Sequence, residues 1–152
     1  MKDKRILLLG SGGAAKVIVR PLLTSGPKKI VIANRNSTSA LALADQLNSE
    51  NFNGLEGLGL DDTQLLNKRF DIIVNATSAG HQNGEMPIDE DLLEGVVCYD
   101  LSSGPAASFS HWAESRGAKR SIDGLGMLIE QAAKSYEIWT GFSPDTESVR
   151  AK

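Results

Sequence analysis

The sequence predicts a doubly wound α/β domain, a single three-layer unit with a mainly parallel sheet covered by helices on both faces. Two observations carry this expectation. Short apolar runs alternate with longer segments of helical period, as parallel βα units do. The runs are also continuous in Ile, Leu and Val rather than alternating in polarity, as strands covered on both faces are.

The first run, Arg5–Leu9, leads into a helical pattern over Gly13–Ser25, which Ser25-Gly26-Pro27 ends. Lys29–Ala33 is the second strand and Thr38–Asn48 the second helix. A weaker strand is expected near Gly54–Leu58, followed by a helix over Asp61–Asn67. Asp71–Asn75 and Val96–Asp100 are strong strands, Ala107–Arg116 is a helix and Ala118–Ser121 a weaker strand. Gly124–Gly141 is the last long helix, stopped by Gly141 and Pro144. Between Thr77 and Pro87 runs a long loop with Gly80, Asn83 and Gly84. It starts at the carboxyl end of a strand, where open α/β sheets bind ligands.

The chain has 152 residues, 41% hydrophobic and 23% charged, enough for one domain with a core and too little for two. Its net charge of −3 provides no broad positive field for the phosphates of a nucleic acid, so DNA and RNA are not expected partners. Runs such as Ile6 to Leu9 fall far short of the roughly 20 residues of a membrane span. Met1-Lys2-Asp3-Lys4-Arg5 leads straight into a strand with no secretory apolar region, and one cysteine forms no internal disulfide. A cytoplasmic location is expected.

The strongest local signal is Gly10-Ser11-Gly12-Gly13-Ala14-Ala15, directly after the first strand and before a helix continuing through Val17, Ile18, Leu22 and Leu23. Gly10 permits a tight turn, Gly12 lets the backbone approach a pyrophosphate, and small Ala15 stands in the third glycine's place where helix and strand pack closely. The first helical amides and the helix dipole favour an anion there. The fold expectation therefore sharpens to the Rossmann type, with a dinucleotide as ligand. The same turn would also serve as a plain strand-to-helix connection.

Where an NAD site usually offers Asp or Glu after the second strand, this chain reads Asn34-Arg35-Asn36-Ser37. A guanidinium grips a ribose 2′-phosphate through paired, charge-assisted hydrogen bonds, whereas a carboxylate repels it, so NADP is favoured over NAD. The alternative is a solvated Arg35 with Ser37 or Thr38 as helix cap.

Taken in order and spacing, Gly10 to Ala14, Asn34-Arg35, Asn75-Ala76-Thr77-Ser78-Ala79-Gly80, Cys98-Tyr99-Asp100 and Asp123-Gly124-Leu125-Gly126-Met127-Leu128 with Gln131-Ala132-Ala133 resemble the cofactor-binding half of the shikimate dehydrogenases. Asp123–Gln131 is the most specific piece, since generic dinucleotide-binding domains do not share it. The resemblance implies an NADP-dependent oxidoreductase interconverting 3-dehydroshikimate and shikimate in aromatic amino acid biosynthesis. In that family a preceding domain carries the catalytic Lys and Asp and most of the substrate site. Residues 1–152 are thus expected to be a cofactor domain without that partner, containing no catalytic residue of its own.

The resemblance further implies that Gly10, Ser11, Gly12, Gly13 and Ala14 cradle the pyrophosphate, and that Asn34, Arg35, Asn36 and Ser39 lie on the 2′-phosphate side. Thr77 and Ser78 would line the cleft, Leu101 would lie by the nicotinamide, Gly124 would meet its carboxamide, Met127 would pack on the ring, and Gln131 would reach substrate. Two departures stand out. Ser39 replaces a second Arg common in the family, which would loosen the preference for NADP. Leu101-Ser102-Ser103-Gly104 replaces a stretch with a substrate-contacting Tyr, which leaves shikimate and quinate both open as substrates.

In the last helix, Leu125, Leu128, Ile129, Ala132, Tyr136 and Trp139 fall on one stripe at about 100° per residue and are expected to pack on the sheet. Met127, Gln131 and Ile138 form an opposite face that needs a second neighbour, which the missing domain would supply. Asp123 reads as a helix cap rather than a catalytic base. His81, His111 and Cys98 have no metal-ligand spacing, and Cys98 is expected to be a buried apolar group. Ser11 lacks the Gly-x-Ser-x-Gly surroundings of a hydrolase nucleophile, and the glycine turn lacks a P-loop's Gly-Lys-Ser/Thr ending. The expected activity is NADP-dependent shikimate dehydrogenation by the complete enzyme, this chain binding NADP(H) without turnover. The rivals are a quinate/shikimate dehydrogenase using either NAD or NADP, and a non-catalytic dinucleotide-binding module.

Overall fold

Six strands, β1 (Arg5–Leu9), β2 (Lys29–Asn34), β3 (Leu55–Gly59), β4 (Ile72–Asn75), β5 (Val97–Asp100) and β6 (Arg120–Ile122), form one sheet in the order β3-β2-β1-β4-β5-β6. All five pairings are parallel. The helices are α1 (Gly13–Thr24), α2 (Ser37–Ser49), α3 (Ser108–Ser115), α4 (Leu125–Thr140) and α5 (Glu147–Arg150). The computed structural model describes residues 1–49, 54–78, 86 and 88–150. Among these, no helix is long and apolar enough to cross a membrane.

The two-residue period of β1 divides the core. Ile6 and Leu8 point to one side, where they meet Ala15, Val19 and Leu22 of α1 and Ala40, Leu43 and Leu47 of α2. Leu7 and Leu9 point to the other, against Ile73, Leu93, Cys98, Phe109 and Ala113. Both faces of the central strands are thus covered, which is why their sequences are apolar at every position. Helix α2 lies so close to β3 that a Cβ on Gly57 would come within 2.5 Å of Leu41 N and 2.6 Å of the Ala40 carbonyl. The side chain of Asn48 clamps the start of β3, its Nδ2 donating to Leu55 O at 3.1 Å and its Oδ1 accepting from Leu55 N at 3.3 Å.

Two expectations fail. Residues 61–67 are a string of turns, not a helix. Asp62 Oδ1 takes the Gln64 amide at 2.8 Å, and i to i+3 bonds follow from Leu65 to Asp62 and from Lys68 to Leu65, so a side-chain acceptor competes with the helical ladder. The stripe on α4 does not pack on the sheet, and no residue of α4 is buried. Leu125, Leu128 and Trp139 are 51%, 53% and 82% exposed. The helix follows the edge strand β6 and has α5 as its neighbour, with Tyr136 and Phe142 in an edge-to-face contact at 6.2 Å. Helical periodicity identifies an apolar face but not what covers it.

Replacing Gly57 by Ala should destabilise the chain by about 2 kcal/mol or more in urea unfolding, because the new methyl group meets helix backbone rather than a movable side chain. Burial pushes the Cys98 thiol up to about 12. It should therefore resist a thiol reagent at pH 8 in the folded chain and react fully after unfolding.

Candidate functional site

The chain starts at β1, winds outward to β3, and returns to the centre at β4. The crevice beyond the carboxyl ends of β1 and β4 is therefore the topological switch point, where open α/β sheets bind ligands. Gly10 enters it with φ of 102°. Its N–H donates to Ala33 O at 2.7 Å, and a Cβ would meet Ala76 O and Thr77 Cγ2 at 3.0 Å each. Conformation and space both require glycine. Ser11 is nearly buried, while Gly12, Gly13 and Ala14 are exposed. Among the described residues a Cβ on Gly12 or Gly13 would meet nothing within 4 Å, so the turn is open there to an approaching group. Gly12 caps α1 with no side-chain hydrogen bond and no acidic residue in the first turn. Ala15, at 0% exposure, lets the helix lie against the sheet.

The next turn follows β2. Asn36, rather than Ser37 or Thr38, caps α2, its Oδ1 accepting from Ser39 N at 3.3 Å, and Asn34 Nδ2 donates to Asn36 O at 3.3 Å. Arg35 is exposed, and among the described residues it forms no ion pair. The first turn of α2 holds no acid. The side chain of Ser39 is exposed.

Across the switch point the site rests on a buried polar network. Asp100, 1% exposed at the end of β5, accepts at Oδ1 from Asn75 Nδ2 (3.2 Å) and Ser102 N (3.1 Å), and at Oδ2 from Ser110 N in the first turn of α3 (3.2 Å). Asn75 Oδ1 in turn accepts from Thr77 Oγ1 (2.6 Å) and Thr77 N (3.1 Å). Three donors on one carboxylate compensate its burial, and the chain of bonds ends at Thr77, whose methyl carbon touches the space beside Gly10. Asn75 and Asp100 belong to the motif segments, but nothing in the sequence alone reveals that they meet; the available signal is a polar residue closing each of two consecutive buried strands.

The far wall is set by backbone contacts. Leu101 N donates to Asn75 O at 3.0 Å and Gly124 N to Ser102 O at 2.7 Å. A Cβ on Gly124 would overlap the Leu101 carbonyl, so only glycine lets α4 begin here. Asp123 accepts from Leu125 N (3.2 Å) and Gly104 N (3.1 Å). It acts as a clamp on the start of α4 and the loop after β5; the N-cap position itself is Gly124 rather than the expected Asp123, whose carboxylate nonetheless accepts from the first helical amide. Burial, with the Asp123 carboxylate nearby, raises the Tyr99 phenol above its ordinary range, against a hydrogen bond from the backbone of Met127. Met127 is half-buried, Gln131 exposed and Ser78 exposed. Most of the loop from Thr77 to Pro87, including Gly80, His81, Asn83, Gly84 and Pro87, lies outside the described residues.

Comparison with known proteins agrees with this geometry. The shikimate/quinate 5-dehydrogenase family matches residues 1–87, and the shikimate 5′-dehydrogenase C-terminal domain matches residues 124–152. The shikimate dehydrogenase (NADP(+)) of Colwellia psychrerythraea is 42% identical over 151 residues, covering 98% of this chain and 53% of that protein. An Ael1 enzyme from Pseudomonas putida superposes with a TM-score of 0.83 at 38% identity, over 97% of this chain and 54% of its own. Shikimate 5-dehydrogenase from Listeria monocytogenes, in complex with shikimate and NAD, has a TM-score of 0.83 at 27% identity, over 99% and 55%. The chain thus spans about half the length of the relatives it matches.

Asp100→Ala strands two backbone amides and one side-chain amide in the core. It should cost about 3 kcal/mol or more in urea unfolding, and Asp100→Asn, which keeps one oxygen acceptor, should cost measurably less.

Proposed function

The chain belongs to the shikimate/quinate 5-dehydrogenase family, and on that footing we propose that it is the dinucleotide-binding part of an NADP-dependent shikimate dehydrogenase. One observation supports this most directly: an open glycine turn at the N-terminus of α1 stands beside an exposed Arg35, with no acid in the first turn of either helix. The residues suit the group, because a pyrophosphate needs backbone amides it can approach and a 2′-phosphate needs a cation.

In this reading Gly10 to Ala14 hold the pyrophosphate, Ser11 from its nearly buried position. Asn34, Arg35, Asn36 and Ser39 form the 2′-phosphate side, and Thr77 and Ser78 line the cleft. Leu101, Gly124 and Met127 form the nicotinamide wall, and Gln131 faces substrate. NADP(H), when bound, supplies the hydride chemistry at a carbonyl carbon; this chain supplies binding and orientation. Thr77 is held through the Asp100 network and Gly124 by its close contact with the Leu101 carbonyl.

The other half of the length seen in the relatives would carry the proton-transferring residues and most of the substrate site for shikimate and 3-dehydroshikimate. It would also cover α4, whose apolar side chains are too many and too contiguous for a lone surface helix. Quinate as substrate and NAD as second cofactor remain in the reading: Ser39 stands where a second cation would fix the preference, and the Listeria relative was crystallised with NAD. A non-catalytic dinucleotide module is the rival from another class.

Calorimetry should show NADPH binding to the 152-residue chain. Arg35→Ala should weaken it about tenfold or more, as loss of charge-assisted hydrogen bonds does, while leaving NADH unchanged; equal effects on both cofactors would remove the 2′-phosphate assignment. The purified chain should not oxidise shikimate at steady state, and appreciable turnover would overturn the division of labour proposed here. Activity on joining a family N-terminal domain would exclude the module reading.

A further inference from the structure

The turn that carries Arg35 has a second charged neighbour, from a different element. β3 pairs with β2 so that Gly59 lies opposite Asn34, and Leu60 N donates to Asn34 O at 3.1 Å. The chain leaving β3 is therefore pinned to the end of β2. The next residue is Asp61. The point that a Cβ on Gly59 would occupy is 2.5 Å from Asp61 Oδ1 and 3.5 Å from Ser37 Cβ. The carboxylate and the first residue of α2 thus face each other across a space that only glycine leaves free.

We propose that Asp61 is a cofactor-specificity residue: its carboxylate stands beside the 2′-phosphate position and holds the preference for NADP over NAD below the level that Arg35 alone would set. This rests on the cofactor reading above.

Asp61 has no evident structural duty. Asp62, not Asp61, accepts the turn amide of Gln64. Among the described residues no cation forms an ion pair with Asp61, so its charge is not cancelled locally. The remainder of the turn is Asn36-Ser37-Thr38-Ser39, polar and uncharged. Among the described residues, Arg35 and Asp61 are then opposed charges from two elements at the mouth of α2. A group carrying nearly two negative charges is repelled by the carboxylate, whereas the neutral ribose hydroxyl of NAD is not. An acid after the second strand, the usual NAD signal, is absent here; this acid arrives at the same turn from the third strand.

The test measures NADPH and NADH affinities of the 152-residue chain by calorimetry for the wild type, Asp61→Asn and Asp61→Ser. Both variants should tighten NADPH about fivefold relative to NADH in low-salt buffer. The shift should shrink towards unity in about 0.5 M NaCl, where exposed charges are screened. An unchanged NADPH:NADH ratio in both variants, or a ratio shift indifferent to salt, would overturn the proposal while leaving the cofactor site in place. Failure of the wild type to bind either cofactor would overturn the cofactor reading and this proposal with it.

Discussion

A carboxylate cannot be taken out of water without compensation, and the site is organised around one that has been. Asp100 is 1% exposed and tolerable there because an amide side chain and two backbone N–H groups converge on it. Those donors come from β4, from the loop after β5 and from the first turn of α3. One buried charge therefore fixes the relative positions of three segments, and through Asn75 it reaches Thr77 at the wall of the glycine turn. The crevice keeps its shape because moving any one of these segments would leave a buried charge or a buried donor without a partner.

Around that fixed centre the two halves of the site work by different physics. On the β1–β2 side, recognition in the proposed reading would be electrostatic, resting on the amides at the tip of α1, a guanidinium after β2 and an opposing carboxylate after β3. On the β5–β6 side the constraint is steric, set by glycine where α4 passes the Leu101 carbonyl and by the hydrogen bond that Asp123 accepts from Leu125 N at the start of α4. The first half tolerates exchange of charged groups at modest cost in stability, since they are exposed. The second half does not, since its contacts pin backbone groups at close range.

Helix α4 is held at its first turn and unburied along its length. Several of its apolar side chains are exposed, and the chain spans about half the length of the relatives it matches; in the reading proposed above, the other half would bury them. Its stripe of Leu125, Leu128, Tyr136 and Trp139 has the period of a core helix, yet these side chains are exposed.

The alternation of continuous Ile/Leu/Val runs with helical segments was enough to place all six strands within a few residues and to assign the parallel, doubly wound class, because strands buried on both faces leave no polar phase in the sequence. The glycine turn and Arg35 were legible because backbone freedom and charge are properties of the residues themselves. The turns over 61–67, the exposure of α4, the Asn75–Asp100–Thr77 network and the approach of Asp61 to α2 were not. The turns follow from the local acceptor on Asp62; the others depend on which segments lie side by side once the sheet has formed, and residues as far apart as Asn75 and Asp100 carry no mark of that adjacency. Local propensity and period act through neighbours in sequence; partners across the sheet are chosen only by tertiary packing.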